Sequence, residues 1–291
     1  MGETEGRGIL VEIRLARTAG FCMGVQRAID VALRTAATAG AGVPIYTCGP
    51  LIHNPQAVAE LESKGIRSVD DWRSVSAGTM IIRAHGMPVA EIDEMRARGL
   101  TIVDATCPHV VSSQNRIKTA VSEGYFVVIV GDPRHPEILS LQSFAPGNHL
   151  VIASVAEVAS LPPVPKAIVI AQTTFHEKQY ELIAQAVSER IPECRIIRSI
   201  CKATSNRQAE VEQLAAEVDA MVVVGGRDSA NTRRLAEIAE SRGVRTVHIE
   251  TAIELDPAFF RGVKTVGVTA GASTPSWITR AVIERLETLN S

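Results

Sequence analysis

Eight strand-length runs rich in β-branched residues, VEIRLA, TMIIRA, LTIVDA, YFVVIV, KAIVIAQ, DAMVVVGG, VRTVHI and TVGVTAG, alternate with helical patterns along the chain. Near-continuous apolar runs suit strands covered on both faces, and strand–helix alternation suits parallel sheets, so the pattern predicts an α/β fold with mainly parallel sheets. Helices are expected over 25–38, 55–64, 89–98, 110–123, 177–190, 205–218, 232–242 and 275–288. Asn54 before Pro55, and Ser273-Thr274 before Pro275, read as helix starts, with side-chain oxygens for the first amides and proline in the first turn. At 291 residues, 46% of them hydrophobic, the chain is long for one core and suits two or three small lobes. The Pro-rich LPPVPK at 161–166 is too short to separate independent domains and reads as a surface connection.

Cys22, Cys107 and Cys201 lie 85 and 94 residues apart, each in its own small-residue-rich turn: GFCMGVQRA, DATCPHV and SICKATSNRQ. The even spacing suggests three similar α/β units, each delivering one soft ligand to a shared centre. Lobes are placed at 23–106, 107–200 and 201–288, with an N-terminal strand at 8–16 completing the sheet of the last. Three thiolates on an iron–sulfur cluster that takes four leave one iron without a protein ligand, and such an iron can bind substrate. A Cys3His zinc site is the alternative, although structural zinc sites bring ligands in close pairs. Cys194 and Cys48 read as small buried thiols. Five cysteines are an odd number for a disulfide framework.

Lys+Arg 30 against Asp+Glu 32 gives a net charge of −2, so no global basic field draws nucleic acid or an anionic membrane, and any anion must be caught locally. The start MGETEGRGILVEIRLA fits neither a signal nor a transit peptide. Met1-Gly2 resembles a myristoylation start, but Gly6 stands where Ser or Thr is required. No apolar run approaches the roughly 18 residues of a membrane span. A cytoplasmic protein is expected.

His53, His85 and His135 occur in short turn-like settings, LIHNP, RAHG and RHPE, which favours a pocket over the ordinary satisfied histidine; His109, His149, His176 and His248 lack such settings. Thr204 and Ser205, Ser229 and Asn231, and Ser273 stand at expected helix starts, where free amides attract anions. Ser, Thr and Asn are also the commonest helix caps, so each alone says little, and the three groups together suggest a phosphate or diphosphate site. Glu137, two residues from His135, is the candidate proton donor, since a carboxyl beside a cluster and an anion has its pKa raised. Thr173 and Thr174, after the strand KAIVIAQ, are placed to hold a substrate hydroxyl or to cap a helix.

The motifs GFCMGVQRA, LIHNP, RAHG, DATCP, HPE, AQTT, ICKAT-NRQ, VGGRDSANT and VTAGAST, in this order over residues 20–276, resemble the 4-hydroxy-3-methylbut-2-enyl diphosphate reductase family. The resemblance implies a cloverleaf of three α/β lobes around a 4Fe–4S cluster held by Cys22, Cys107 and Cys201. It implies reductive dehydroxylation of the allylic diphosphate to isopentenyl and dimethylallyl diphosphate in isoprenoid biosynthesis, with a ferredoxin or flavodoxin as electron donor. It also implies His53, His85, His135, Ser229, Asn231 and Ser273 as diphosphate ligands, Glu137 as proton source and Thr173 as hydroxyl partner. Departures from the family pattern are Ile138-Leu139-Ser140 where Val-x-Gly is usual, Asp228 for Asn, Ala230 for Ser, and Phe175-His176 after the Thr pair. A side chain at Ser140 is expected to alter the loop that aims Glu137. The competing readings are another three-cysteine open-iron enzyme, a dehydratase or lyase like quinolinate synthase, and a cluster-based redox sensor without turnover.

Overall fold

The structure is a computed structural model that describes residues 11–40 and 42–288. Met1, Gly2, Gly6 and residues 8–10 of the expected N-terminal strand lie outside the described residues. Among the described residues are three four-stranded sheets, every strand pairing being parallel.

The first sheet has the order β3 (Ile66–Val69), β2 (Ile45–Cys48), β4 (Thr79–Ile82), β5 (Thr101–Asp104). The second runs β7 (His149–Ile152), β6 (Phe126–Val130), β8 (Lys166–Ala171), β9 (Glu193–Ile197). The third runs β11 (Arg245–Ile249), β10 (Ala220–Val224), β12 (Thr265–Ala270), β1 (Glu12–Leu15). All three share one topology: the two central strands lead to opposite edges, so a crevice forms where the strand order reverses. In an open parallel sheet, ligand-binding side chains gather at the carboxyl ends of the strands flanking this switch point. The third sheet is the permuted copy, taking its last edge strand from the N-terminal part of the chain.

Burial follows this layout. The central strands β4 and β10 are buried at every residue, and β6, β8 and β12 at every residue but the first. The edge strands β1, β5 and β9 contain no buried residue. Continuous β-branched runs such as MVVV and FVVIV are what double-sided burial requires.

The described residues group into two compact units. One holds the part up to Cys22, His53–Pro55, and everything from Ala203 onward, and so the third sheet with most of α7 (Lys202–Ala215), α8 (Ala230–Ser241) and α9 (Ser276–Thr288). The other holds the first two sheets with α1 (Met23–Thr38), α2 (Pro55–Ser63) from Gln56, α3 (Val89–Ala97), α4 (Pro108–Ser122), α5 (Pro136–Gln142) and α6 (Glu177–Arg190).

Sequence patterning misses four strands, β2, β3, β7 and β9, and the two-turn helix α5. It also starts α7 three residues late. Thr204 and Ser205 therefore lie inside the first turn of that helix, not at its cap, and Thr204 is buried.

Candidate functional site

Each of the three spaced cysteines follows an edge strand and immediately precedes a helix: Cys22 after β1 and before α1, Cys107 after β5 and before α4, Cys201 after β9 and before α7. Their backbone settings repeat as well. The Cys22 amide donates to the Ala272 carbonyl (3.1 Å), Cys107 to Ala84 (2.9 Å) and Cys201 to Thr173 (3.1 Å), each acceptor lying just beyond the strand next to the cysteine's own. All three are half-buried. A helix N-terminus, with its partial positive charge, suits an anionic thiolate–metal group. Cys48 and Cys194 differ: both lie within strands, and burial pushes their thiols up, so they stay protonated.

In the unit that holds the first two sheets, the switch point between β6 and β8 carries Glu137 and Thr173. The Glu137 side chain is 1% exposed. Its Oε1 accepts from the Thr173 amide (2.7 Å) and its Oε2 from the Thr173 hydroxyl (2.8 Å). Burial raises the Glu137 pKa to about 7, against the lowering effect of these two bonds. The same threonine accepts the Cys201 amide through its carbonyl, so one residue links the buried carboxyl to a cysteine loop. Thr174 instead accepts from the Gln172 side chain (3.0 Å).

His135 caps α5: its Nδ1 accepts the Glu137 amide (3.1 Å), which assigns the ring proton to Nε2 and makes that edge a donor. The His85 and His135 rings meet edge to face, centroids 5.3 Å apart. The other histidines serve the fold or the surface. His149 and His248 bond the Ala145 and Gly225 carbonyls, His109 is exposed, and His176 precedes α6.

In the other unit, the switch point between β10 and β12 carries Ser229, Asn231 and Ser273, all buried. Ser229 caps α8 by accepting the Thr232 amide (3.3 Å). The Ser273 hydroxyl lies 3.4 Å from that of Ser229 and donates to the His53 carbonyl (3.1 Å). Asn231 is 4% exposed, and among the described residues neither its amide nitrogen nor its carbonyl oxygen has a hydrogen-bond partner. A buried amide with both ends unsatisfied costs on the order of 1–3 kcal/mol per group, a strain expected where a polar ligand completes the bonding.

Two features of this unit are not apparent from the motifs. The buried Arg207 in α7 donates to the Gly20 carbonyl (2.7 Å), and Glu210 accepts from the Arg17 and Thr18 amides (2.6 and 2.9 Å), so α7 grips the loop leading to Cys22. Gly226 is the second: a Cβ there would lie 2.5 Å from the His53 carbonyl, so VGG is a close approach that only glycine permits. Both partners are separated in sequence by more than 150 residues, beyond any local signal.

The departures from the family pattern separate cleanly. Ser140 is fully buried in α5, Asp228 is exposed, Ala230 opens α8, and Phe175 packs in the core under α6.

Comparison with known proteins agrees with this geometry. The family model described as LytB protein matches residues 13–287. The chain belongs to the LytB family. Proteins named 4-hydroxy-3-methylbut-2-enyl diphosphate reductase are similar over nearly their whole length: that of Pelobacter propionicus is 47% identical over 96% of this chain and 99% of its own, and that of Geobacter sulfurreducens 46% identical over 95% and 97%. A solved structure of (E)-4-hydroxy-3-methyl-but-2-enyl diphosphate reductase, described as the terminal enzyme of the non-mevalonate pathway, is 38% identical with a TM-score of 0.71, covering 96% of this chain and all of the other. The E-1-hydroxy-2-methyl-but-2-enyl-4-diphosphate reductase of Plasmodium falciparum is 28% identical with a TM-score of 0.90, covering 94% and 87%. The dehydratase-like and sensor alternatives are not favoured by these likenesses.

Proposed function

We propose that Glu137, Thr173 and the polar residues at the switch points carry out the family's reaction in this chain, the reductive dehydroxylation of 4-hydroxy-3-methylbut-2-enyl diphosphate to isopentenyl and dimethylallyl diphosphate. The chain is an oxidoreductase of the non-mevalonate isoprenoid route. The observation that carries the assignment is the buried Glu137 carboxyl on Thr173, with a pKa near 7. A carboxyl with that value is half protonated at neutral pH and can both give and regain a proton. Removing a hydroxyl as water and protonating an allylic carbon both need such a donor.

Cys22, Cys107 and Cys201 fit a 4Fe–4S cluster: three half-buried thiols in equivalent helix-start settings, three ligands where a cluster takes four. Bound by them, the cluster supplies single electrons and an iron without a protein ligand. The chain's own residues do the rest. Ser229, Asn231 and Ser273, with the first amides of α8, bind the diphosphate, and Asn231 satisfies its two unpaired ends on it. His53, His85 and the Nε2–H of His135 are further donors to its oxygens. Thr204, buried in the first turn of α7, lines the same anion site. The Thr173 hydroxyl holds the substrate hydroxyl against Glu137, which delivers the proton.

A ferredoxin or flavodoxin is the donor this one-electron chemistry calls for. Among the described residues no helix is long and apolar enough to cross a membrane, and we place the protein in the cytoplasm, acting on a small allylic diphosphate with no nucleic-acid or membrane partner. The three lobes are assigned to residues 23–106, 107–200 and 201–288. The test is Glu137→Gln in anaerobically reconstituted protein. The variant is expected to keep its iron and lose about a hundredfold or more in kcat; full iron with unchanged kcat removes Glu137 as the acid.

A further inference from the structure

The Ser140 side chain ties its own helix, α5, to two other elements that adjoin site residues. Its hydroxyl donates to the Met87 carbonyl (3.2 Å) and accepts from Gln114 Nε2 (3.0 Å). Ser140 sits on α5 one turn beyond Glu137, Gln114 is on the helix that starts after Cys107, and Met87 is two residues after His85. The tie is buried: Ser140 is 0% exposed and Gln114 9%. A second serine reinforces it, since the Ser143 hydroxyl donates to the Ser140 carbonyl (2.6 Å) and accepts the Val89 amide (3.2 Å). Room for the tie is made by Gly86. A Cβ there would lie 2.7 Å from Ser140 Oγ and 2.9 Å from Gln114 Nε2, and its φ of +77° is a left-handed conformation that favours glycine.

We propose that Ser140 is a positioning residue that locks the His85 loop to the helix bearing His135 and Glu137. The inference rests on the assignment of those residues given above. With both hydroxyl bonds made, α4, α5 and the 84–88 loop move as one body, and the edge-to-face arrangement of His85 and His135 is held from behind. Without the hydroxyl, Gln114 Nε2 and the Met87 carbonyl lose a buried partner, a change that opens such a region about fivefold more often per bond.

The test uses the full chain carrying Ser140→Ala. Amide exchange in peptides covering 84–89 and 136–143 is expected to speed up about fivefold, with the sheet of β10 and β12 unchanged and the iron content retained. The KM for the allylic diphosphate is expected to rise about fivefold. A mere loss of folded protein lowers apparent kcat and leaves KM alone, so an unchanged KM, with or without faster exchange, overturns the proposal; so does a raised KM with unchanged exchange in both peptides. Should Ser140→Ala not fold, Gln114→Leu breaks the same tie from α4 and is read the same way. Wild-type protein that is iron-loaded yet inactive defeats the functional assignment instead, and the exchange result then still decides whether the tie exists.

Discussion

Among the described residues Glu137 has no basic partner, and the Thr173 amide and hydroxyl are the counterweight to its complete burial. Its folded pKa of about 7 lies above the ordinary 4.5. A raised carboxyl pKa means the folded protein holds the proton more tightly than the unfolded chain, so stability from this group is present below the unfolded value and is lost as pH rises through about 7. Thermal unfolding measured across this range is thus expected to show Glu137→Gln gaining on the wild type as pH rises from 4.5 to about 7 and keeping that gain above it; parallel curves contradict the assignment. The catalytic consequence has the same sign, because a donor must be protonated: kcat is expected to fall as pH rises through about 7. Asn231 makes the opposite bargain, holding two unsatisfied polar ends in the absence of ligand. Near-isosteric Asn231→Leu is expected to raise the apo melting temperature by a few degrees, as one or two unsatisfied groups disappear, and to abolish the stabilisation by inorganic diphosphate. A melting temperature that still rises with diphosphate in the variant removes Asn231 from the anion site.

At the level of elements, the glycines of VGG set how closely the His53 peptide approaches the carboxyl end of β10. With 2.5 Å between a Cβ at 226 and the His53 carbonyl, Gly226→Ala must push one backbone away, and it is expected to destabilise by several kcal/mol in denaturant unfolding; a change under about 0.5 kcal/mol shows the approach to be loose. Legibility in the sequence follows burial. Runs such as MVVV of β10 announce themselves because both faces are covered. The edge strand β9, ECRII, hides because Glu193 and Arg195 face solvent, Glu193 bonding Tyr125 and Arg195 pairing with Glu123. The cap residue Ser229 is readable from helix-start chemistry; Ser273 is not a cap, since it lies three residues before α9 and its hydroxyl donates to the His53 carbonyl instead. Gln114, Ser140 and Arg207 are not readable, since their roles exist only through partners in other elements.

At the scale of the whole molecule, one topology used three times explains the spacing of the cysteines. Each copy places a thiol after an edge strand and polar groups after its two central strands, so Cys22, Cys107 and Cys201 are equivalent by position and Cys48 and Cys194 are not. Iron analysis of anaerobically reconstituted variants is expected to show about four irons per chain for wild type and for Cys48→Ala, and a large loss for serine at Cys22, Cys107 or Cys201. Equal loss in Cys48→Ala breaks that equivalence. The central claim is chemical and is met most directly by product analysis. Iron-loaded protein, supplied under anaerobic conditions with a reduced one-electron donor and 4-hydroxy-3-methylbut-2-enyl diphosphate, is predicted to release both isopentenyl and dimethylallyl diphosphate, identified by mass spectrometry. Recovery of the intact alcohol from fully loaded, reduced protein contradicts the account.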